Sequence, residues 1–315
     1  MAEIATRRLG MVAQDIAQAA NVLQNGGLVA FPTETVYGLG ADARDDRAVA
    51  RIYEAKGRPS FNPLIVHVPT IEAAKALVHW TKAAQKLADA FWPGPLTLVL
   101  PIRADAGISK LVTAGLDTLA IRLPDAPLAR DLLTAFGGPV AAPSANTSGQ
   151  ISPTRAQHVL DDLTGRIEAV LDGGACSVGL ESTILGLAGD LTLLRPGGVT
   201  RDDLSKALGR PVLLRDENAT ISAPGQIKSH YAPRAQVRLN AENWNTNEAR
   251  LGFGDIECDL NLSTKRDLTE AAANLFEFLH RLDAMNRPTI AVSPIPDTGL
   301  GIAINDRLNR AAADR

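Results

Sequence analysis

The tetrad Leu28-Val29-Ala30-Phe31 is wholly apolar, follows a helix-stopping Gly26-Gly27 pair and runs into Pro32. It belongs to a pattern that governs the first two thirds of the chain, in which short β-branched or leucine-rich runs alternate with stretches of helical period. That alternation predicts a layered α/β fold. Helices are expected over 12–25, 70–91, 126–136, 154–164 and 201–209, and strands over 28–31, 64–68, 96–102, 118–123, 139–142, 168–172, 181–187 and 191–195. Asp45 and Asp46 can cap a further helix that turns Val49, Ile52 and Tyr53 inward and delivers Lys56 and Arg58 just past its last turn, where Pro59 stops it. Many polar residues of interest thus fall at strand ends, where loops on a rigid scaffold carry chemistry.

A chain of 315 residues with 45% apolar content exceeds what one core usually organises, so two domains are expected. The division falls in a segment without periodicity, punctuated by Pro224, Gly225 and Pro233, whose composition favours a tether. The expected organisation is a domain over 1–215, a linker over 216–234 and a small α/β domain over 235–315. In the last, strands are expected near 236–239, 249–253, 258–262 and 289–294, with helices near 267–282 and 301–313. Residues 1–215 carry 21 basic and 21 acidic side chains and 216–315 carry 11 and 14, so neither part is a polybasic nucleic-acid binder by bulk charge. Cys176 and Cys258 form no CxxC, which excludes a disulfide framework or zinc ribbon and fits a reducing cytoplasm. Neither a signal-peptide core nor an apolar run long enough for a bilayer occurs, so a soluble cytoplasmic protein is expected.

Three segments together describe an anion site: Pro32-Thr33-Glu34-Thr35-Val36-Tyr37-Gly38-Leu39-Gly40, Lys56-Gly57-Arg58-Pro59 and Pro143-Ser144-Ala145-Asn146. Lys56 and Arg58 set two cations beside a glycine that lets a phosphate approach the backbone, and Ser144 and Asn146 add neutral donors. Taken singly, Lys-Gly-Arg also reads as a solvated helix end and Ser-Ala-Asn as a cap or turn. Gly38-Leu39-Gly40-Ala41-Asp42-Ala43 fits a loose dinucleotide-binding pattern, but Gly38 lies too far from the next helix cap to seat a pyrophosphate, so these glycines read as a tight loop. No GxxxxGK[ST], HExxH or GxSxG occurs. His79, His158 and His280 read as helix-surface or packing residues, and His67, ending an apolar strand, reads from its surroundings as a core histidine. Arg122 and Arg195 read equally as surface and as ligand-binding arginines, and Glu181-Ser182-Thr183 as a polar strand start. Trp92-Pro93-Gly94-Pro95 reads as a turn, and Phe61 is a bulky apolar residue in a loop.

From Asp15 to Pro211 the order of these segments resembles the YrdC-type threonylcarbamoyl-AMP synthases. The resemblance rests on Phe31 to Leu39, Lys56 to Pro59, Asn62 to His67, Trp92 to Thr97, Ala142 to Asn146 and Gly179 to Ile184. His230-Tyr231-Ala232-Pro233 and Gly299 to Leu308 resemble the linker and extra domain of that family's long form. It implies a YrdC-like twisted open mixed sheet with flanking helices, plus a smaller C-terminal Rossmann-like α/β domain. The implied activity is a nucleotidyltransferase that makes threonylcarbamoyl-AMP and pyrophosphate from L-threonine, bicarbonate or CO2, and ATP. The product would serve threonylcarbamoyladenosine modification of tRNA next to the anticodon. Carried over by position, the catalytic residues would be Lys56, Arg58, Ser144 and Asn146. Threonine would be held by Thr35, His67, Arg122, Ala142 and Ser182, with Arg122 on its carboxylate, and ATP by Arg58, Asn62, Thr118, Ser144, Ser152, Arg195 and Tyr231. Mg²⁺ would be held by ATP and water rather than by protein ligands. The linker would fold back over the site with Tyr231 near the nucleotide. Downstream tRNA threonylcarbamoyl transferase machinery is the implied partner, with weak RNA binding and no membrane. Two other readings stay open: a non-catalytic RNA-binding module, and a carbamoyl-adenylate transfer domain of hydrogenase-maturation type, whose acylphosphatase and zinc-finger segments are not visible in the sequence.

Overall fold

A computed structural model describes residues 4–216, 223–225 and 229–314. The larger unit begins with β1 (Arg7–Leu9), α1 (Ala13–Gln24), β2 (Val29–Pro32), β3 (Tyr37–Asp42), α2 (Asp46–Lys56) and β4 (Ile65–His67). It continues through α3 (Ile71–Leu77), α4 (Lys82–Phe91), β5 (Leu96–Pro101), α5 (Lys110–Thr113), β6 (Thr118–Arg122), α6 (Pro127–Phe136) and β7 (Val140–Ala141). It ends with α7 (Ala156–Leu163), β8 (Ala169–Leu171), β9 (Thr183–Gly186), β10 (Thr192–Arg195), α8 (Arg201–Leu208) and β11 (Leu213–Leu214). The eleven strands make one mixed sheet in the order β1-β8-β2-β3-β7-β4-β6-β5-β9-β10-β11.

The apolar tetrad at the start of β2 explains itself in this sheet. Leu28 and Ala30 join the apolar cluster that includes α2 and α7 on one face, while Val29 and Phe31 join that of α1 and α6 on the other, so no position is left for a polar side chain. The glycines after Pro32 do not form the expected tight loop. Gly38 and Gly40 lie in β3, paired antiparallel with β2. A Cβ on Gly40 would stand 2.9 Å from both the Phe31 ring and Val140, so glycine here makes room for an aromatic ring across the sheet. The expected helix over 70–91 is two helices. Val78 is extended, and Thr81 starts α4 by accepting the Ala84 N–H. Asp45 caps α2 as expected, accepting from Arg47 and Ala48, and Gly57 ends it in the left-handed conformation at φ +59°.

The smaller unit contains β12 (Gln236–Arg238), β13 (Glu248–Gly252), β14 (Leu260–Asn261), α9 (Leu268–Asp283), β15 (Thr289–Val292) and α10 (Leu300–Ala312). Its sheet is all parallel, in the order β12-β15-β13-β14. Its core is shared with the larger unit, because Val36, Ile151 and Leu180 join the same apolar cluster as Leu275, Phe276 and Ile304. Of the expected linker over 216–234, residues 217–222 and 226–228 lie outside the described residues. Tyr231 is 1% exposed and sits in that shared cluster. Polar contacts add to the seam: Arg155 pairs with Glu277 at 2.8 Å, and His280, stacked on His158, meets the Ser152 carbonyl at 3.1 Å. Among the described residues no helix is long and apolar enough to cross a membrane.

Gly179 marks where the two units come closest. At φ +72° it occupies a region that penalises side chains, and a Cβ there would lie 2.6 Å from the backbone of Ala272 and Ala273 in α9. Gly179→Ala is therefore expected to destabilise the protein by about 2 kcal/mol or more. Denaturant unfolding measures this, and an unchanged midpoint would contradict the close approach of α9.

Candidate active site

The hairpin between β2 and β3 is built by Thr33, whose Oγ1 donates to the Val36 carbonyl at 2.7 Å and accepts from the Thr35 and Val36 N–H groups. This turn carries Glu34 and Thr35 to one end of a cleft. Neighbouring parallel strands β4 and β6 end there in register, bringing His67 beside Arg122. The Arg122 guanidinium donates to Thr35 Oγ1 at 2.9 Å, to Glu34 at 2.6 Å and to the Gly94 carbonyl at 3.2 Å. Three of its five N–H donors are thereby engaged, and among the described residues two remain for a ligand carboxylate. His67 is 3% exposed, and its Nδ1 has no partner among the described residues. Burial, reinforced by Arg122, lowers its pKa to about 3, so the ring is neutral at physiological pH. Ser182 completes this end, its Oγ 2.7 Å from Thr97 Oγ1.

The other end of the cleft is cationic. Arg58 lies just beyond the end of α2, bound to the carbonyls of Asn62 at 3.2 Å and Pro63 at 2.9 Å. Burial brings its pKa down to about 10, which still leaves it charged. Arg195 ends β10 and turns Nε and Nη2 onto Ser182, so that among the described residues both Nη1 hydrogens remain for a ligand. The cleft is lined by residues from both ends together with Ser144, Ala142, Pro224, Gly225, His230 and Tyr231.

Of the residues singled out from the sequence, Thr35, Arg58, His67, Arg122, Ala142, Ser144, Ser182, Arg195 and Tyr231 line this one cleft. The Ala142 N–H is engaged by the Ile65 carbonyl, which leaves only its own carbonyl as a backbone contact for a ligand. Lys56, Asn146, Asn62, Thr118 and Ser152 are not in the lining. Lys56 is 1% exposed and its Nζ donates to the carbonyls of Ser144 (2.6 Å) and Asn146, which ties down the loop that presents Ser144. Burial, then Arg58, lower its pKa. Asn146 donates its amide hydrogens to Thr147 and Gln150 in the same loop. Asn62 is 1% exposed at the foot of Arg58, and Thr118 opens β6, at the far end of the strand from Arg122. Ser152 stands behind Glu181 and donates to it at 2.5 Å.

Three polar residues that line the cleft were not assigned a role from the sequence: Thr33 sits inside the quoted motif, Glu181 beside Ser182, and His230 beside Tyr231. Glu34, equally unassigned, lies outside the lining and binds Arg122. Adjacency to an assigned residue was the only signal available. Glu34 and Glu181 are both committed to arginines, Arg122 and Arg307 respectively. Among the described residues no group of three or more His, Cys, Asp or Glu is placed to hold a metal ion.

Comparison with known proteins gives this cleft its context. Residues 21–197 match the Sua5, YciO and YrdC family, described as Telomere recombination, and residues 199–313 match the family described as Threonylcarbamoyl-AMP synthase, C-terminal domain. A threonylcarbamoyl-AMP synthase of Bacillus subtilis is 43% identical over 325 aligned residues, covering 95% of this chain and 93% of its own. The solved structure of Pyrococcus abyssi Sua5 complexed with L-threonine superposes with a TM-score of 0.88 at 37% identity, covering 98% of this chain and 97% of that one. Escherichia coli YciO shares the fold of the larger unit, with a TM-score of 0.54 at 22% identity over 62% of this chain and 96% of its own. The chain thus belongs to the threonylcarbamoyl-AMP synthase family, in the form that joins a YrdC-like domain to a second, C-terminal one.

Proposed function

We propose that the chain makes threonylcarbamoyl-AMP from L-threonine, bicarbonate or CO2, and ATP, releasing pyrophosphate. The observation that carries this reading is a single cleft with two chemically different ends: Arg122, with two donors unused among the described residues, beside a neutral His67, and Arg58 and Arg195 together with Ser144. The first end suits an amino acid with a carboxylate and a hydroxyl. The second suits a polyphosphate. The threonine amine captures CO2 as a carbamate, a carbamate oxygen attacks the α-phosphorus, and the bond to the β-phosphate oxygen breaks. The nucleophile belongs to the substrate, so no activated serine or cysteine is required and catalysis becomes positioning and charge stabilisation. Arg58, Ser144 and Arg195 act on phosphate oxygens directly. Lys56 and Asn146 act through the Ser144 loop. Asn62 supports Arg58, and Ser152 acts through Glu181.

Mg²⁺ enters with the triphosphate in this reading. Glu181 in the cleft and Glu34 beside it are held by arginines, so among the described residues neither is a free ligand for the ion, and its donors would be phosphate and water. The match over nearly the whole chain, second domain included, favours the synthase over a bare RNA-binding module or a hydrogenase-maturation domain. The free thiols of Cys176 and Cys258 support work in the cytosol. A reactive mixed anhydride implies a consumer close at hand, a transferase acting on tRNA.

Pyrophosphate release is expected to require ATP, threonine and bicarbonate together, as shown by omitting each in turn. Release at the full rate without threonine would refute the reading. Arg58→Ala removes a preorganised charge contact, a loss of about 2–4 kcal/mol in the transition state, and is expected to slow turnover roughly 100-fold or more. Lys56→Ala, which leaves two buried carbonyls unpaired, is expected to lower turnover at least about tenfold. Near-native turnover of folded Arg58→Ala would remove Arg58 from the phosphate end.

A further inference from the structure

Arg307 belongs to α10, in the C-terminal domain, yet it is 0% exposed and its guanidinium is turned into the rear of the cleft. Nε donates to Glu181 at 2.8 Å, Nη2 to the Pro196 carbonyl at 2.9 Å and Nη1 to Asp306 at 2.6 Å. Its face lies 5.4 Å from the centre of the Tyr231 ring. Each of the three cross-domain contacts reaches a residue that touches or adjoins the nucleotide end. Glu181 lines the cleft and holds Ser152, Pro196 follows Arg195, and Tyr231 lines the cleft itself. None reaches Thr35, His67 or Arg122, and Ser182, next to Glu181, is the one residue of the threonine end that adjoins them.

Tyr231 needs such a hold. It adopts φ +64°, a left-handed conformation that costs a bulky residue about 1–3 kcal/mol and persists only when its surroundings fix it. Those surroundings are Phe276 of α9, with ring centres 5.4 Å apart, and Arg307 of α10. The same helix grips the neighbouring backbone, since the His230 N–H donates to the Arg310 carbonyl at 3.2 Å. Glu181 depends on Arg307 as well. Burial would raise its pKa, but the guanidinium groups of Arg307 and Arg195 hold it at about 2.

We propose that Arg307 is a positioning residue through which the C-terminal domain sets the nucleotide end of the cleft, fixing the Glu181 carboxylate, the Arg195-Pro196 backbone and the Tyr231 ring in one arrangement. This rests on the synthase reading for the identity of the nucleotide. Lysine cannot take its place, because one ammonium on a flexible stem cannot reach Glu181, Asp306 and the Pro196 carbonyl while stacking on Tyr231.

The test compares wild type with Arg307→Lys, Arg307→Met and the pair Glu181→Gln/Arg307→Met. Affinity for ATP with Mg²⁺ and threonine present, and affinity for threonine alone, are measured by calorimetry beside thermal melting and pyrophosphate release. Arg307→Lys and Arg307→Met are expected to weaken ATP binding at least tenfold while threonine binding stays within threefold. The pair is expected to regain much of the melting temperature lost in Arg307→Met without regaining ATP affinity. Wild-type ATP affinity in Arg307→Lys, a common loss of ATP and threonine affinity, or full return of ATP affinity in the pair would each overturn the proposal. Wild type that bound ATP but released no threonine-dependent pyrophosphate would refute the synthase reading instead, with the ATP affinities still deciding the role of Arg307.

Discussion

Backbone carbonyls hold the cations of this cleft, and the rest of the site follows from that. Lys56 is bound to Ser144 and Asn146, Arg58 to Asn62 and Pro63, Arg122 to Gly94, Arg195 to Ser182 and Arg307 to Pro196, in every case through the main-chain oxygen. A carbonyl orients a guanidinium and partly replaces its lost water without cancelling its charge. Three buried arginines line the cleft, Arg58, Arg122 and Arg195, and only Arg122 among them is paired with a carboxylate, Glu34, while the lining Glu181 is paired with Arg307. Such an excess is costly in an empty protein and becomes favourable when a polyanion arrives.

Anchoring on carbonyls also explains the loops. A main-chain oxygen can aim a cation only if its peptide is rigid, and the anchoring peptides lie in segments stiffened by Pro63, Pro95, Pro143, Pro196 and the Thr33 turn. Gly197 belongs to the same design, since a Cβ there would meet the Glu181 carbonyl at 2.4 Å. The loop residues that caught attention as motifs are thus largely structural supports for a few charged groups, and they share the motif with the groups they support.

That division separates what the chain disclosed beforehand from what it did not. Strands covered on both faces, such as β2, and helices with side-chain caps, such as α2, carry local signals in their own residues and were legible. β1 was not, because three residues with two exposed arginines become a strand only through pairing with β8, more than 150 residues away. β3 was hidden because glycine argues against a strand unless the ring it accommodates is known. In the site, Arg58 and Ser144 were joined as an anion site from the residues themselves, the threonine end was assembled by resemblance, and sequence alone left Arg122 and Arg195 equally open as surface or ligand-binding arginines. Arg307 stood inside the Gly299 to Leu308 segment that resembles the extra domain, with no sign of a role at the cleft. Its burial is created by a partner 126 positions away, and a helix pattern cannot reveal that.

Val36, Ile151 and Leu180 are apolar side chains of the larger unit whose neighbours belong to the smaller one. Val36 lies within the motif that shapes the cleft, so the surface where the second domain docks is continuous with the floor of the active site. A fragment ending near Leu214 would bare these side chains to water as an adhesive patch beside its own catalytic groups. Independence for the first domain would therefore require rewriting the side chains at the seam as well as shortening the chain, and in this protein the extra domain is part of the solvent in which the chemistry takes place.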